Sequence, residues 1–127
     1  MNNQKTLFLL TKVLLGTLMV IFGLNKFLGF IAVNPPDDAT AQSFLGSMFT
    51  SYLYVVVAFA EIVGGILLFI PRYAFLGSML LMPVIFNIVA FHLAHDLPVN
   101  GIWIVPTVLY AAVLYFFQPK LKTLLLS

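Results

Sequence analysis

The chain has 127 residues, enough for one domain, and 62% of them are hydrophobic whereas only 8% are charged. A soluble domain carries about 25% charged residues, so this composition excludes an ordinary soluble fold and predicts a membrane protein. A net charge of +2, scattered along the chain, excludes a nucleic-acid-binding protein and leaves the lipid bilayer as the expected environment.

Four apolar segments are long enough, or nearly so, to cross a membrane, which requires about 20 residues. They lie at about residues 6–28, 51–70, 73–94 and 101–118, and the last is the shortest. Because the backbone in lipid must satisfy its own hydrogen bonds, each segment is predicted to be helical. The sequence thus predicts an all-α membrane protein, a single domain over residues 1–127 folded as a bundle of four transmembrane helices.

The first segment also has the position of a signal peptide. Lys12 interrupts its apolar run, however, and no small-x-small cleavage site follows Phe27. We therefore expect this segment to be retained as a membrane anchor.

The connection between the first two segments, residues 29–50, is the only long loop of the prediction. It contains a turn and acidic N-cap candidates at Asn34-Pro35-Pro36-Asp37-Asp38. Apolar residues then recur at helical spacing, at Ala41, Phe44, Leu45 and Met48. They predict a short amphipathic helix, which either rests on lipid at the outer interface, the interpretation we prefer, or folds over the bundle mouth as a lid.

Basic residues are concentrated on one side of the predicted spans. Five of the six lie there: Lys5, Lys12, Arg72, Lys120 and Lys122. Lys26 lies on the opposite side, with most of the acidic residues. The positive-inside rule places the basic side in the cytoplasm, so both termini are predicted to be cytoplasmic.

Glu61 lies near the centre of the second segment, where an Asp, Lys or Arg would cost about 2.5–3.5 kcal/mol on insertion scales. Ala58 and Gly65 share its helix face, and small residues indicate close contact between helices. Glu61 is therefore predicted to face the bundle interior. It could serve only as a hydrogen-bonding link between helices, but a glutamine would do that equally, so we predict that Glu61 binds a ligand or exchanges a proton.

Depth along the helices selects partners for Glu61. Asn87 on the third segment lies within reach, one turn after Pro83, which frees a backbone carbonyl group. Lys26 and the adjacent Asn25 end the first segment about 10 Å away along the helix axis. A water molecule or the Asn87 amide is therefore expected to intervene between Lys26 and Glu61.

Thr107 and Tyr110 on the fourth segment supply hydroxyl groups at a similar depth, on one face with Trp103. All of these polar residues are candidate ligand-binding groups. For Asn25, Asn87, Thr107 and Tyr110 the alternative is hydrogen bonding between helices, without a ligand.

His92 lies near the outer end of the third segment. It is about 140° from Asn87 on an ideal helix, so the two are not expected to face one narrow pocket unless the Pro83 kink brings them together. His92, His95 and Asp96 form a partial metal-ligand set. A histidine satisfied at the membrane interface is the preferred interpretation, and no metal site is assigned.

Short motifs along nearly the whole chain carry a resemblance. They are Gly23-Leu24-Asn25-Lys26-Phe27, Glu61 followed by Gly64-Gly65, Arg72, and the polar residues Asn87 and His92. In these motifs the chain resembles the DoxX family of small bacterial membrane proteins. The resemblance implies a four-helix, multi-pass protein of the bacterial inner membrane with cytoplasmic termini. Some members are subunits of quinone-linked oxidoreductases or oxidative-stress complexes, and distant eukaryotic relatives are membrane chaperones or cargo receptors.

The sequence contains no cysteine, which excludes thiolate chemistry and cysteine-ligated haem or iron–sulfur clusters. It also lacks a nucleophile–base pair and a Gly-rich phosphate loop, so we do not expect a stand-alone enzyme. Our first hypothesis is an accessory subunit of a quinone-linked or redox-associated membrane complex, with quinone as the candidate cofactor. The alternative is a membrane scaffold, chaperone or lipid- or client-binding subunit that associates with other membrane subunits or with itself. A proton-coupled transporter ranks last.

Overall fold

The computed structural model describes most of the chain, namely residues 3–30, 37–95 and 103–126. Six helices follow one another in this part: α1 (Asn3–Leu28), α2 (Ala39–Thr50), α3 (Leu53–Leu68), α4 (Ala74–His95), α5 (Ile104–Phe116) and α6 (Gln118–Leu126). Its regular structure is entirely helical, which confirms the predicted fold class at the level of an all-α membrane protein. Three predicted features lie outside the described residues: the turn at residues 34–36, Asp96, and the start of the fourth span at residue 101.

The helices differ in their ability to cross a membrane. α1 and α4 are each long and apolar enough, while α2–α3 and α5–α6 are pairs bent by 81° and 71°. Counting each bent pair as one span raises the number from two to four. α3 has 16 residues and α5 has 13, fewer than the roughly 20 of a straight span. These helices are shorter than predicted because the chain bends just before α3 and directly after α5.

Local capping defines two helix boundaries. Gly29 follows α1 with a φ of +62°, a conformation that glycine adopts without steric cost, and its N–H donates to Asn25 O at 2.8 Å. At the start of α2, the Asp38 carboxylate accepts a hydrogen bond of 2.9 Å from the N–H of Ala41. This confirms the predicted acidic N-cap.

Glycines bring α1 and α3 into backbone contact. A Cβ atom added to Gly16 would lie 2.8 Å from Gly65 O, and one added to Gly65 would lie 2.8 Å from Gly16 O. Farther along α1, a Cβ atom on Gly23 would lie 2.8 Å from Ala58 O. These distances are too short for any side chain, so small residues set both the spacing and the register of this helix pair.

α3 and α4 meet in the same way. A Cβ atom on Gly77 would lie 2.7 Å from Gly64 O, and one on Gly64 would lie 2.9 Å from the Leu81 side chain. We call the part of the bundle around these contacts and the Gly16–Gly65 contact the packed half. Large side chains complete its core: Leu15, Met19, Leu68, Leu81 and Val113.

Aromatic rings close one end of the packed half. The Phe8 ring lies 4.9 Å from that of Phe116 and 5.2 Å from that of Phe117, and Phe117 lies 5.3 Å from Phe75. We call these four rings the aromatic cluster. Because α1, α4 and the α5–α6 bend each contribute a ring, the cluster joins three parts of the chain that are distant in sequence.

Candidate functional site

On the far side of the packed half from the aromatic cluster, the helices enclose a cavity of about 1120 Å³. α1, α2, α3, α4 and α5 all contribute to its walls, which are mostly apolar. Its polar lining consists of Asn25, Lys26, Glu61, Asn87, His92 and Trp103. Val56 on α3 and Phe86 on α4 border it and remain 55% and 74% exposed.

An ion pair lies on the cavity wall between α1 and α3. Lys26 Nζ lies 2.6 Å from Glu61 Oε1, and the side chains are 17% and 2% exposed. Glu61 therefore faces inward, as predicted. The expectation that water or Asn87 would intervene is wrong.

The register of α1 against α3 explains the direct contact. A Cβ atom on Gly23 would lie 3.2 Å from Glu61 Cβ, so Glu61 lies at the level of Gly23. Lys26 is three residues farther along α1, about 4.5 Å along the axis. A lysine side chain is long enough to span that distance without a bridging group. The expected gap of about 10 Å came from the estimated depth of each residue in the membrane. The actual axial offset between Lys26 and Glu61 is set by the glycine contacts between α1 and α3.

The pair neutralises two charges that the bundle removes from water. Desolvating both ions is costly, and their attraction offsets this only when the contact is short and well aligned. The Lys26 side chain, 17% exposed, lines the cavity while its ammonium donates to Glu61. The arrangement thus presents a positioned donor, held by a buried acid, to any molecule in the cavity.

Asn87 and His92 both line this cavity. The expectation that separated them applied to a narrow pocket, whereas this cavity is wide enough to reach both residues. Asn87 is exposed to the cavity and forms no side-chain hydrogen bond with another described residue. Its amide therefore has both donor and acceptor capacity to offer a bound molecule.

His92 forms part of an aromatic wall. Its Nδ1 donates to Ile88 O at 2.8 Å, and its ring stacks on Trp103 at 5.0 Å with an interplanar angle of 16°. The stacking joins the C-terminal part of α4 to the start of α5. The sequence predicts only that Trp103 shares a helix face with Thr107 and Tyr110. Spacing along one helix cannot predict its stacking on a residue of another helix.

The remaining candidates divide into two kinds. Asn25 lines the cavity beside Lys26. Thr107 and Tyr110 do not: Thr107 Oγ1 donates to Trp103 O at 2.8 Å, and the buried Tyr110 hydroxyl donates to Ser78 O at 2.7 Å. Tyr110 thus links α5 to α4, as the alternative without a ligand predicts, and Ser78 is a partner that the sequence analysis missed.

α2 forms one side of the cavity. Its apolar stripe, predicted from spacing, lines the cavity through Phe44, Leu45 and Met48. The ring of Phe44 lies 5.5 Å from that of Phe91 on α4. His95 Nδ1 lies 3.3 Å from Asp38 Oδ2, which joins the end of α4 to the start of α2.

That contact bears on the partial metal-ligand set. His95 faces Asp38 rather than His92, whose Nδ1 is engaged by its own helix. Within residues 3–30, 37–95 and 103–126, no group of three histidine or acidic residues could hold a metal ion. The third predicted ligand, Asp96, lies outside the described residues.

Comparison with known proteins places these features in a family. The sequence model of the DoxX family matches residues 7–96. The chain is 30% identical over 107 residues to the uncharacterized protein YwoB of Bacillus subtilis (strain 168), covering 79% of this chain and 70% of that protein. No solved structure matches it. The matched region contains Lys26, Glu61, Asn87 and His92, whereas Trp103 and Tyr110 follow it.

Proposed function

The chain belongs to the DoxX family, and on that basis we propose that it is a multi-pass inner-membrane protein that binds an amphiphilic molecule beside Lys26 and Glu61. The proposed topology has four spans: α1, α4 and the two bent pairs, in which α3 and α5 cross the membrane while α2 and α6 lie at its surfaces. Both termini then lie in the cytoplasm with the basic residues, and the cavity lies in the outer half of the membrane.

The observation that carries this proposal is the Lys26–Glu61 pair on the wall of a large apolar cavity. Ionisable residues inside membrane spans are rare and are usually found at sites of binding or transport. A pair that served packing alone would be enclosed by side chains. This pair instead borders about 1120 Å³ of space. A mostly apolar cavity with a few polar groups at one place is typical of a small-molecule site.

The chemistry of the polar lining favours a quinone as the ligand. A quinone head group has carbonyl oxygens that accept hydrogen bonds, and Lys26 and the Asn87 amide are donors on the cavity wall. The stacked His92 and Trp103 rings supply a flat surface against which an aromatic head group can lie. The apolar lining accommodates a hydrocarbon tail, which leaves between α3 and α4 beside Val56 and Phe86.

Each group has a distinct role in this proposal. Lys26 donates to a carbonyl oxygen of the head group, Asn87 orients the head group, and Glu61 holds the Lys26 ammonium in place. When bound, the quinone supplies two-electron redox chemistry coupled to protons, with electrons from a partner subunit. Glu61 accepts or returns a proton through its contact with Lys26. The chain is therefore proposed to be an accessory subunit rather than a stand-alone enzyme.

α2 is proposed to act as a lid over the head-group region. It contributes cavity-lining side chains and is joined to α4 by the Phe44–Phe91 and Asp38–His95 contacts. A helix at 81° to α3 that covers a membrane cavity separates the polar groups from the outer surface. The ligand then enters from the lipid, between α3 and α4.

Trp103 provides a direct test, because it is the single tryptophan of the sequence and it lines the cavity. We expect a short-chain quinone analogue to quench its fluorescence saturably in detergent-purified protein. Glu61→Gln or Asn87→Ala should weaken binding by about tenfold, the equivalent of one lost hydrogen bond to a charged or polar group. Thr17→Val, on the exposed side of α1, is the matched control and should bind normally. Quenching that does not saturate, or that is unchanged in both cavity variants, would refute quinone binding here.

The second candidate is a lipid- or client-binding subunit. The observation that favours it is the exposure of Phe86 and Val56 at the cavity opening, where an acyl chain or a partner helix could enter. Mass spectrometry of protein purified in mild detergent from native membranes separates the candidates. A retained quinone supports the first function, and a retained phospholipid or a stoichiometric partner protein supports the second.

A further inference from the structure

Lys12 is a second lysine on the inner face of α1, and the proposed function does not use it. It is only 9% exposed, although it lies within the apolar length of the helix. Its Nζ lies 4.4 Å from the centre of the Phe8 ring, part of the aromatic cluster. The ammonium therefore lies at the end of the bundle opposite the cavity.

Lys120, at the start of α6, approaches the same cluster. Its Nζ lies 5.7 Å from the ring centre of Phe117 and 6.0 Å from that of Phe75. Phe117 is in turn in edge contact with Phe8. The two ammonium groups thus border one set of rings.

No acidic side chain of the described residues compensates these two charges. The sequence has four acidic residues, of which Glu61 pairs with Lys26 and Asp38 contacts His95, both at the cavity. Asp37 precedes Asp38 directly in the sequence, and Asp96 follows His95. Aromatic rings attract a cation less strongly than a carboxylate does, so the rings do not replace the anionic partner that Lys12 and Lys120 lack among the described residues.

We propose that Lys12 and Lys120 bind the phosphate group of an anionic phospholipid at this end of the bundle. A phosphodiester carries the charge that both ammonium groups lack, and basic pockets between transmembrane helices are typical sites for such head groups. A lipid is favoured over a soluble anion because α6 bends by 71° from α5 and exposes apolar residues in its last turn, after Lys120. These are Leu124, Leu125 and Leu126, which are 57%, 72% and 84% exposed. A helix with this composition is suited to lie on acyl chains at the membrane surface.

This site is independent of the cavity, so it can be tested without a quinone. The full chain in neutral detergent would be titrated with phosphatidylglycerol, with phosphatidylcholine, and with inorganic phosphate. Native mass spectrometry would count the bound lipids, and thermal unfolding would measure stabilisation. We expect phosphatidylglycerol to bind at least tenfold more tightly than phosphatidylcholine, and inorganic phosphate at millimolar concentration to have no effect.

Variants decide whether the two lysines form the site. Lys120→Gln changes an exposed side chain, so it should leave the fold intact while it weakens phosphatidylglycerol binding about tenfold. Lys122→Gln, on the same helix but away from the rings, is the matched control and should change binding less than twofold. Lys12→Arg should retain binding and Lys12→Met should lose it. Equal losses in the Lys120 and Lys122 variants, or equal affinity for both lipids, would overturn the proposal. Saturation by inorganic phosphate alone would assign the site to a soluble anion and overturn the lipid.

Discussion

The packed half and the cavity differ in how the same helices contact one another. At Gly16 and Gly65, α1 and α3 approach until backbone touches backbone. At Lys26, ten residues or about 15 Å farther along α1, the contact with α3 is made by two long charged side chains at the edge of a cavity. Close packing leaves no room for a ligand. A charged pair, in contrast, can hold two helices together and still contact a ligand in the cavity.

The same contrast exists between the two inward lysines of α1. Lys26 has a carboxylate partner at 2.6 Å, whereas the Lys12 ammonium has the Phe8 ring but no acidic partner among the described residues. The Lys26 charge is compensated within the chain, and the proposed lipid phosphate compensates that of Lys12. Lys12 and Lys26 lie on the same face of α1, and only the residues around each of them distinguish their environments.

The largest expected effect comes from breaking the Lys26–Glu61 pair on one side. Glu61→Leu leaves a mostly buried ammonium without its acid and should destabilise the protein by about 3 kcal/mol. The double variant Lys26→Met, Glu61→Leu should recover much of this loss, because no charge remains uncompensated. Thermal or denaturant unfolding in detergent, arranged as a double-mutant cycle, measures both values. Additive losses in the double variant would show that the two side chains do not interact.

The second largest effect should come from the packed half. Gly65→Leu places a side chain against Gly16 O and Val20, neither of which can move far, and should cost about 2 kcal/mol. Gly46→Leu in α2 is the control, since nothing lies within 4 Å of a Cβ atom there, and it should be tolerated. Melting temperature and monodispersity in detergent report the difference. If the two variants have the same melting temperature, the close approach of α1 and α3 is not needed for stability.

A smaller effect is expected at the hydroxyl link between α4 and α5. Tyr110→Phe removes the donor to Ser78 O and should cost about 0.6 kcal/mol, the average for polar contacts between membrane helices. Quinone quenching of Trp103 should be unchanged, because Tyr110 does not line the cavity. Loss of quinone binding in Tyr110→Phe, with stability unaltered, would place this residue in the site after all.

The smallest effect on stability should come from the contact that joins α2 to α4. His95 and Asp38 are 35% and 44% exposed, and many exposed ion pairs contribute nothing measurable to stability. His95→Ala should therefore leave the melting temperature nearly unchanged, while a bound quinone analogue dissociates faster as α2 loses one contact. Recovery of Trp103 fluorescence after dilution measures this rate. An unaltered rate would argue against α2 as a lid.

Features that depend on neighbouring residues along the chain could be predicted well. The helical class, the Asp38 cap of α2 and the inward direction of Glu61 follow from hydropathy, local hydrogen bonding and one small-residue face. The distance from Lys26 to Glu61 could not be predicted, because it depends on which residues of α1 oppose which residues of α3. Glycine contacts set that offset, and periodicity on one helix contains no information about the other.

The residues that line the cavity could not be predicted from spacing along one helix either. Asn87 and His92 point in different directions on α4, so spacing alone separated them, yet both border a space that several helices enclose. Thr107 and Tyr110 had suitable depth and chemistry, but their hydroxyl groups are engaged by backbone carbonyls. Depth in the membrane does not decide whether a side chain faces a cavity or a neighbouring helix.

The sequence by itself determined that this protein resides in a membrane and that its backbone is helical, because solvation and backbone hydrogen bonding are local requirements. Only the tertiary structure decided that Lys26 reaches Glu61, that Lys12 reaches no acid among the described residues, and that a cavity lies beside one lysine and not the other. Those outcomes depend on helix register and on contacts as close as that of Gly16 with Gly65, where a single methyl group would alter the spacing.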